Sequence, residues 1–127
     1  MFEKLLFPVN ESREAIKTAA KAVELAQKNR SQMIVLSVRD PDQPTMVKTD
    51  SLQALQDQVK AKIEQAGIPC ESVIREGKSA FVICDVADEL NVDLIVIGTR
   101  GVGLREDIQS IAAQVIQFAP CPVMVVP

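Results

Sequence analysis

This sequence predicts an α/β fold: one five-stranded, doubly wound parallel sheet with helices on both faces. Three observations carry the prediction. Five short apolar runs alternate with four stretches of helical periodicity. The clearest runs, Met33-Ile34-Val35-Leu36 and Leu94-Ile95-Val96-Ile97, are apolar at every position, as a strand covered on two sides must be. Links of helical length between such strands imply right-handed crossovers and parallel neighbours. At 127 residues, 47% hydrophobic and 24% charged, the chain has the size and mix of one globular domain, 1–127, and no Pro/Gly/Ser-rich linker divides it.

Each element has its own signal. Leu5-Leu6-Phe7-Pro8-Val9 reads as the first strand, ended by the polar cluster Asn10-Glu11-Ser12. Ala15, Ile16, Ala19, Ala20, Val23 and Ala26 form one helical stripe; Ser12 is placed as its N-cap, and Glu11 and Glu14 suit the positive end of the dipole. Met33 to Val38 is the second strand. Asp40 to Asp50 contains Pro41 and Pro44 and reads as a loop, its acidic residues Asp40 and Asp42 taken as solvated. Leu52, Leu55, Val59, Ile63 and Ala66 mark the second helix, stopped by Gly67 with Pro69 beyond. Cys70 to Arg75 is a weaker third strand, expected at a sheet edge. Ser79 is placed as the cap of a third helix with the stripe Ile83, Val86, Ala87 and Leu90. Asp93 to Gly98 is the fourth strand. Ile108, Ile111, Ala112, Val115, Ile116 and Ala119 repeat at helix spacing, and Val123 to Val126, fenced by Pro120, Pro122 and Pro127, closes the order as a fifth strand.

Composition excludes several functions. With no histidine there is no His-based catalytic triad, no His-containing zinc site and no imidazole general base, so no enzymatic activity is expected. Aromatics are 3% and all phenylalanine, which leaves little for aromatic cages or base-stacking platforms. A net charge of −3 without a basic run argues against nucleic-acid binding, and the longest apolar run, Ala80 to Cys84, against membrane insertion. The N-terminus lacks the pattern of a signal peptide, and Cys70, Cys84 and Cys121 contain no CxxC pair. They read as reduced small hydrophobes in a cytoplasmic protein.

Doubly wound sheets bind ligands beyond the carboxyl ends of their strands, where the winding reverses. With strand one central beside strand four, that crevice is lined by Val9-Asn10 and by Gly98 to Gly103, with Val38-Arg39-Asp40 at its flank. Gly98-Thr99-Arg100-Gly101-Val102-Gly103 lets backbone N–H groups approach an anion, and Arg100 adds a guanidinium for phosphate oxygens. The loop is neither a GxxxxGK[ST] phosphate loop nor a full dinucleotide fingerprint, since position 106 is Glu. On these residues alone it serves either as an anion cradle or simply as a tight strand-to-helix turn.

Three segments carry a family resemblance: Phe7-Pro8-Val9-Asn10, Asp93 to Gly101, and Ala119-Pro120-Cys121-Pro122-Val123-Met124-Val125-Val126. Through them the whole chain resembles the universal stress protein (UspA-like) domain. The resemblance implies strand order 3-2-1-4-5 in a Rossmann-like, adenine nucleotide alpha hydrolase-like fold. It implies ATP or another adenine nucleotide as cofactor, and no metal apart from nucleotide-bound Mg. Carried over position by position, the ligand would meet Pro8, Val9 and Asn10 after strand one. Val38 would meet the adenine, and Gly98, Thr99, Arg100, Gly101, Gly103 and Ser110 the ribose and phosphates.

The carry-over is incomplete. In binders of the family an aspartate follows strand one and a G-x2-G-x9-G-[S/T] segment holds ribose and phosphates. Here Asn10 replaces the aspartate, Gln109 replaces the later glycine, and the spacer is two residues short. Glu106 and Asp107 bring negative charge toward a triphosphate. The expectation is a regulatory or signalling domain with weak or lost ATP binding. The alternative is a working nucleotide sensor for ATP, ADP, AMP or a cyclic nucleotide, alone or as the regulatory part of a larger protein such as a transporter. The resemblance also implies a homodimer through the edge strand Val123–Val126, against which stands a monomer with that strand covered by its own helices.

Overall fold

The computed structural model describes residues 2–9, 14–41, 49–98 and 106–127. Their order is β1 (Lys4–Val9), α1 (Glu14–Asn29), β2 (Gln32–Arg39), α2 (Thr49–Gln65), β3 (Cys70–Glu76), α3 (Ser79–Glu89), β4 (Leu94–Gly98), α4 (Glu106–Phe118) and β5 (Val123–Val126). The strands form one sheet in the order β3-β2-β1-β4-β5, with every recorded pairing parallel. The expected architecture and strand order are therefore present, with β3 and β5 at the two edges.

The two faces explain why the central strands are apolar at every position. Leu5, Phe7, Val9, Met33, Val35, Leu94 and Val96 join Ala19, Ala22 and Ala26 of α1 and Val59 and Ile63 of α2 in one cluster. The intervening residues Leu6, Ile34, Leu36, Ile95 and Ile97 join α3 and α4 in a second, around Ile83, Val86, Ala112 and Val115. Side chains alternate between faces with a period of two, so each buried strand feeds both cores. Two expected core residues point outward instead. Ala20 is exposed and α1 buries Thr18, Ala19 and Ala22, because the stripe follows the 3.6-residue repeat from Ala19 to Ala22 to Ala26. Ile116 is 56% exposed, lying off the face defined by Ala112 and Val115.

Three helices end in the same way. Gly67 at φ +82° lets its N–H reach Glu64 O while Ile68 N returns to Ile63 O, a Schellman closure sealed by Ile63 and Ile68 in the core. Arg30 and Asn91, both at φ +53°, repeat it after α1 and α3, with Ser31 N on Ala26 O and Val92 N on Ala87 O. Each closure turns the chain straight into the next strand.

The third helix begins differently from expectation. Its N-cap is Lys78, which makes no side-chain capping bond, and Ser79 is the first helical residue. The cap is supplied from β2's end: Asp40 Oδ2 accepts from both Ser79 N and Ser79 Oγ at 2.9 Å. Asp40, read above as solvated, is buried for this reason. Gln56, polar but buried on the inner face of α2, likewise donates through Nε2 to Val73 O at 2.7 Å.

The three cysteines are free thiols, Cys84 buried and Cys70 and Cys121 half-buried. Burial pushes all three thiols upward, Cys70 from 9.0 to about 11, with Lys60 opposing and Glu64 and Glu71 adding. A thiol that keeps its proton in the folded chain and loses it in the unfolded one favours folding only below the unfolded value. Stability is thus expected to be intact below pH 9 and to fall between pH 9 and about 11. Denaturant midpoints across that range check it, with Cys70→Ala flattening the decline.

Candidate functional site

The carboxyl ends of β1, β2 and β4 define the candidate crevice, and backbone direction shows why they converge. Residues along a strand turn their N–H and C=O alternately to the two neighbouring strands. Gln32 N donates to Glu3 O and Met33 N to Pro69 O, so even-numbered residues of β2, Val38 among them, face β1. Ile95 N donates to Pro122 O on the β5 side, so even-numbered residues of β4, Gly98 among them, also face β1. The polar backbone groups of Val38 and Gly98 therefore turn toward the tip of β1 from opposite sides.

Pro8 accounts for the break in the sheet between them. Asp93 N donates to Lys4 O, which places the even residues of β1, and so Pro8, on the β4 side. Proline has no N–H to give there. The register from β1 to β2 runs on to Val9↔Ser37, whereas that from β1 to β4 ends at Leu6↔Ile95. Counted on from Leu5↔Leu94, Gly98 is level with Val9.

Gly98 has a second, purely structural use. A Cβ on it would lie 2.9 Å from Thr18 Oγ1 and 3.1 Å from Thr18 Cγ2, so the missing side chain is what lets α1 close over the end of β4. Two polar atoms beside Val38 lack partners among the described residues: Ser37 Oγ and Arg39 Nε, both buried. They lie on the α1/α2 face, opposite the Val38 side chain, which packs on the α3/α4 side. Sequence reasoning passed over Ser37 because a serine inside a strand carries no pattern of its own.

Of the expected site residues, the structure brings Pro8, Val9, Val38 and Gly98 to one edge of the sheet on three adjacent strands. Asn10, Thr99, Arg100, Gly101 and Gly103 lie outside the described residues. Ser110 falls within α4, near its start. Among the described residues no group of three or more His, Cys, Asp or Glu is arranged to hold a metal ion. Nor is any helix of the described residues long and apolar enough to cross a membrane.

A Rossmann-like parallel α/β sheet whose winding reverses beside its central strand is one class of protein; the sequence relationships narrow it. The sequence model of the universal stress protein family matches residues 1–127. The universal stress protein Sll1654 of Synechocystis is 41% identical over 136 residues, covering 100% of this chain and 87% of that protein. The chain belongs to the universal stress protein family. Among solved structures, a universal stress protein in complex with cAMP superposes with a TM-score of 0.80 at 18% identity, covering 99% of this chain and 97% of that one. A universal stress protein from Archaeoglobus fulgidus in complex with dAMP gives 0.75 at 21% identity, covering 99% and 98%. At those identities the likeness establishes the fold.

Proposed function

We propose that this chain is a dimeric regulatory domain whose crevice takes an adenine nucleoside monophosphate in preference to ATP. The observation that carries the reading is the convergence of Val38 and Gly98 on the tip of β1, where the β1–β4 pairing has ended at Leu6↔Ile95, before Pro8. A backbone carbonyl from β2 suits an exocyclic amine, and the glycines at 98, 101 and 103 suit close approach of a phosphate to the main chain. Structural neighbours in complex with cAMP and dAMP support a ligand with one phosphate. By their place in the family's sequence pattern, Gln109 would oppose a longer phosphate chain by bulk and Glu106 and Asp107 by charge. The absence of histidine supports regulation rather than catalysis, and three free thiols support a reducing, cytoplasmic setting.

Calorimetric titration with AMP, cyclic AMP, ADP and ATP tests the reading. AMP is expected to bind more tightly than ATP, and Gln109→Gly to raise ATP affinity about tenfold by removing a side chain whose clash is worth roughly 1.4 kcal/mol. No heat from any of the four up to millimolar concentration would refute it.

The dimer rests on β5. It is an edge strand with both central residues open, Met124 at 40% and Val125 at 38% exposure. Such an edge is stable when paired or covered. A second copy pairing there gives a dimer that Val125→Lys is expected to shift to monomer, as read by sedimentation. A wild-type chain that sediments as a monomer would contradict the dimer.

A further inference from the structure

We propose that Asp40 and Ser79 are positioning residues that hold the Val38 carbonyl in place for the 6-amino group of an adenine base. The inference rests on the nucleotide reading above and concerns how the site distinguishes bases. Val38 is the last residue of β2 to face β1, and Asp40 follows two residues on. What fixes its direction is a clamp on the opposite, β3 side of β2.

The clamp has two parts. Gly77 N donates to Arg39 O at 3.0 Å, at a φ of +143° that favours glycine. Asp40 Oδ2 then takes Ser79 N and Ser79 Oγ, both at 2.9 Å, so one buried carboxylate oxygen ties the end of β2 to the first turn of α3. Charge assistance and the helix dipole both strengthen these bonds. α3 is itself anchored by Ala80, Ile83 and Val86 in the core, so the clamp refers Val38 to a rigid element.

A fixed carbonyl at this point discriminates by chemistry. Adenine presents an amino donor at position 6, which the carbonyl accepts. Guanine presents a carbonyl there, setting two acceptors against each other. Loosening the clamp lets the carbonyl turn away, so the adenine bond weakens and guanine is no longer penalised. The phosphate end of the ligand is unaffected.

Titration of the full chain with AMP and with GMP tests this, because the ratio of the two affinities does not depend on the folded fraction. The wild-type chain is expected to favour AMP by about tenfold, the size of one hydrogen bond gained against one acceptor clash. Asp40→Ala is expected to bring the ratio near one through loss of AMP affinity. Asp40→Asn, which keeps an acceptor oxygen, is expected to recover part of it. Ser79→Ala leaves the backbone bond and is expected to give an intermediate ratio of about threefold; it serves if Asp40→Ala does not fold. A ratio unchanged in Asp40→Ala or Ser79→Ala, or equal losses for both nucleotides, overturns the clamp and leaves the nucleotide reading standing. A wild-type chain that binds neither nucleotide overturns both.

Discussion

Gly98→Ala is expected to lower the melting temperature by about 5–10 °C, from an overpacking cost of roughly 1–3 kcal/mol. The new Cβ would meet Thr18 at two atoms, Oγ1 at 2.9 Å and Cγ2 at 3.1 Å. Thr18 is buried and β-branched, so turning it about χ1 replaces one branch with the other and relieves little. Gly98→Val adds two methyls to the same contact and is expected to cost more. The test that isolates the mechanism is the pair Gly98→Ala with Thr18→Ala, which removes both close atoms and leaves the Thr18 Cβ position at an ordinary 3.5 Å. Recovery of most of the lost stability in the double variant is expected, as a favourable coupling in the cycle. Additive losses would show that α1 does not close over β4 at this point.

Asp93→Ala is expected to destabilise the chain by roughly 1.5–3 kcal/mol, the range for hydrogen bonds to a charged group. One carboxylate oxygen, Oδ2, accepts from Glu3 N and Lys4 N at 3.0 Å each, while Asp93 N donates to Lys4 O at 2.9 Å. Lys4 Nζ reaches Leu90 O at 3.2 Å, and Ser31 Oγ donates to Phe2 O from the other side. These bonds pin the start of β1 between β2 and β4. Water can replace the bond to Glu3 N, which is exposed, so most of the loss arises at Lys4 N. Asp93→Asn keeps an acceptor without the charge and is expected to lose about half as much. Because Asp93 lies at the opposite end of the sheet from the crevice, ligand affinity corrected for the folded fraction is expected to stay unchanged. A loss below about 0.5 kcal/mol in Asp93→Ala would remove this anchor from the account.

The frame of this protein was legible in the sequence because both ends of each element carry independent signals. Met33 to Leu36 and Leu94 to Ile97 had to be buried on both faces, and Gly67 before Pro69 had to end a helix. Errors occurred where a residue's partner is distant in sequence. Asp40 looked like a loop acid, but its partner lies 39 residues away at the start of α3. Asp93 read as the first residue of a strand, and its partners at Glu3 and Lys4 lie 90 and 89 positions back. Ala20 and Ile116 fitted the composition of their stripes but not the phase, which packing against the sheet decides. At the candidate site, Pro8 showed the same limit: a proline in a strand is visible in the sequence, but which neighbour loses a donor depends on strand order and parity.

The most direct measurement of the central claim is an amide chemical-shift titration of the isotopically labelled chain with AMP. The amides of Val9, Val38 and Gly98 are expected to shift together with one saturating dependence, while those of Lys4 and Asp93, at the far end of the sheet, remain still. Saturation without movement at those three amides, or movement centred on the far end of the sheet, would contradict it.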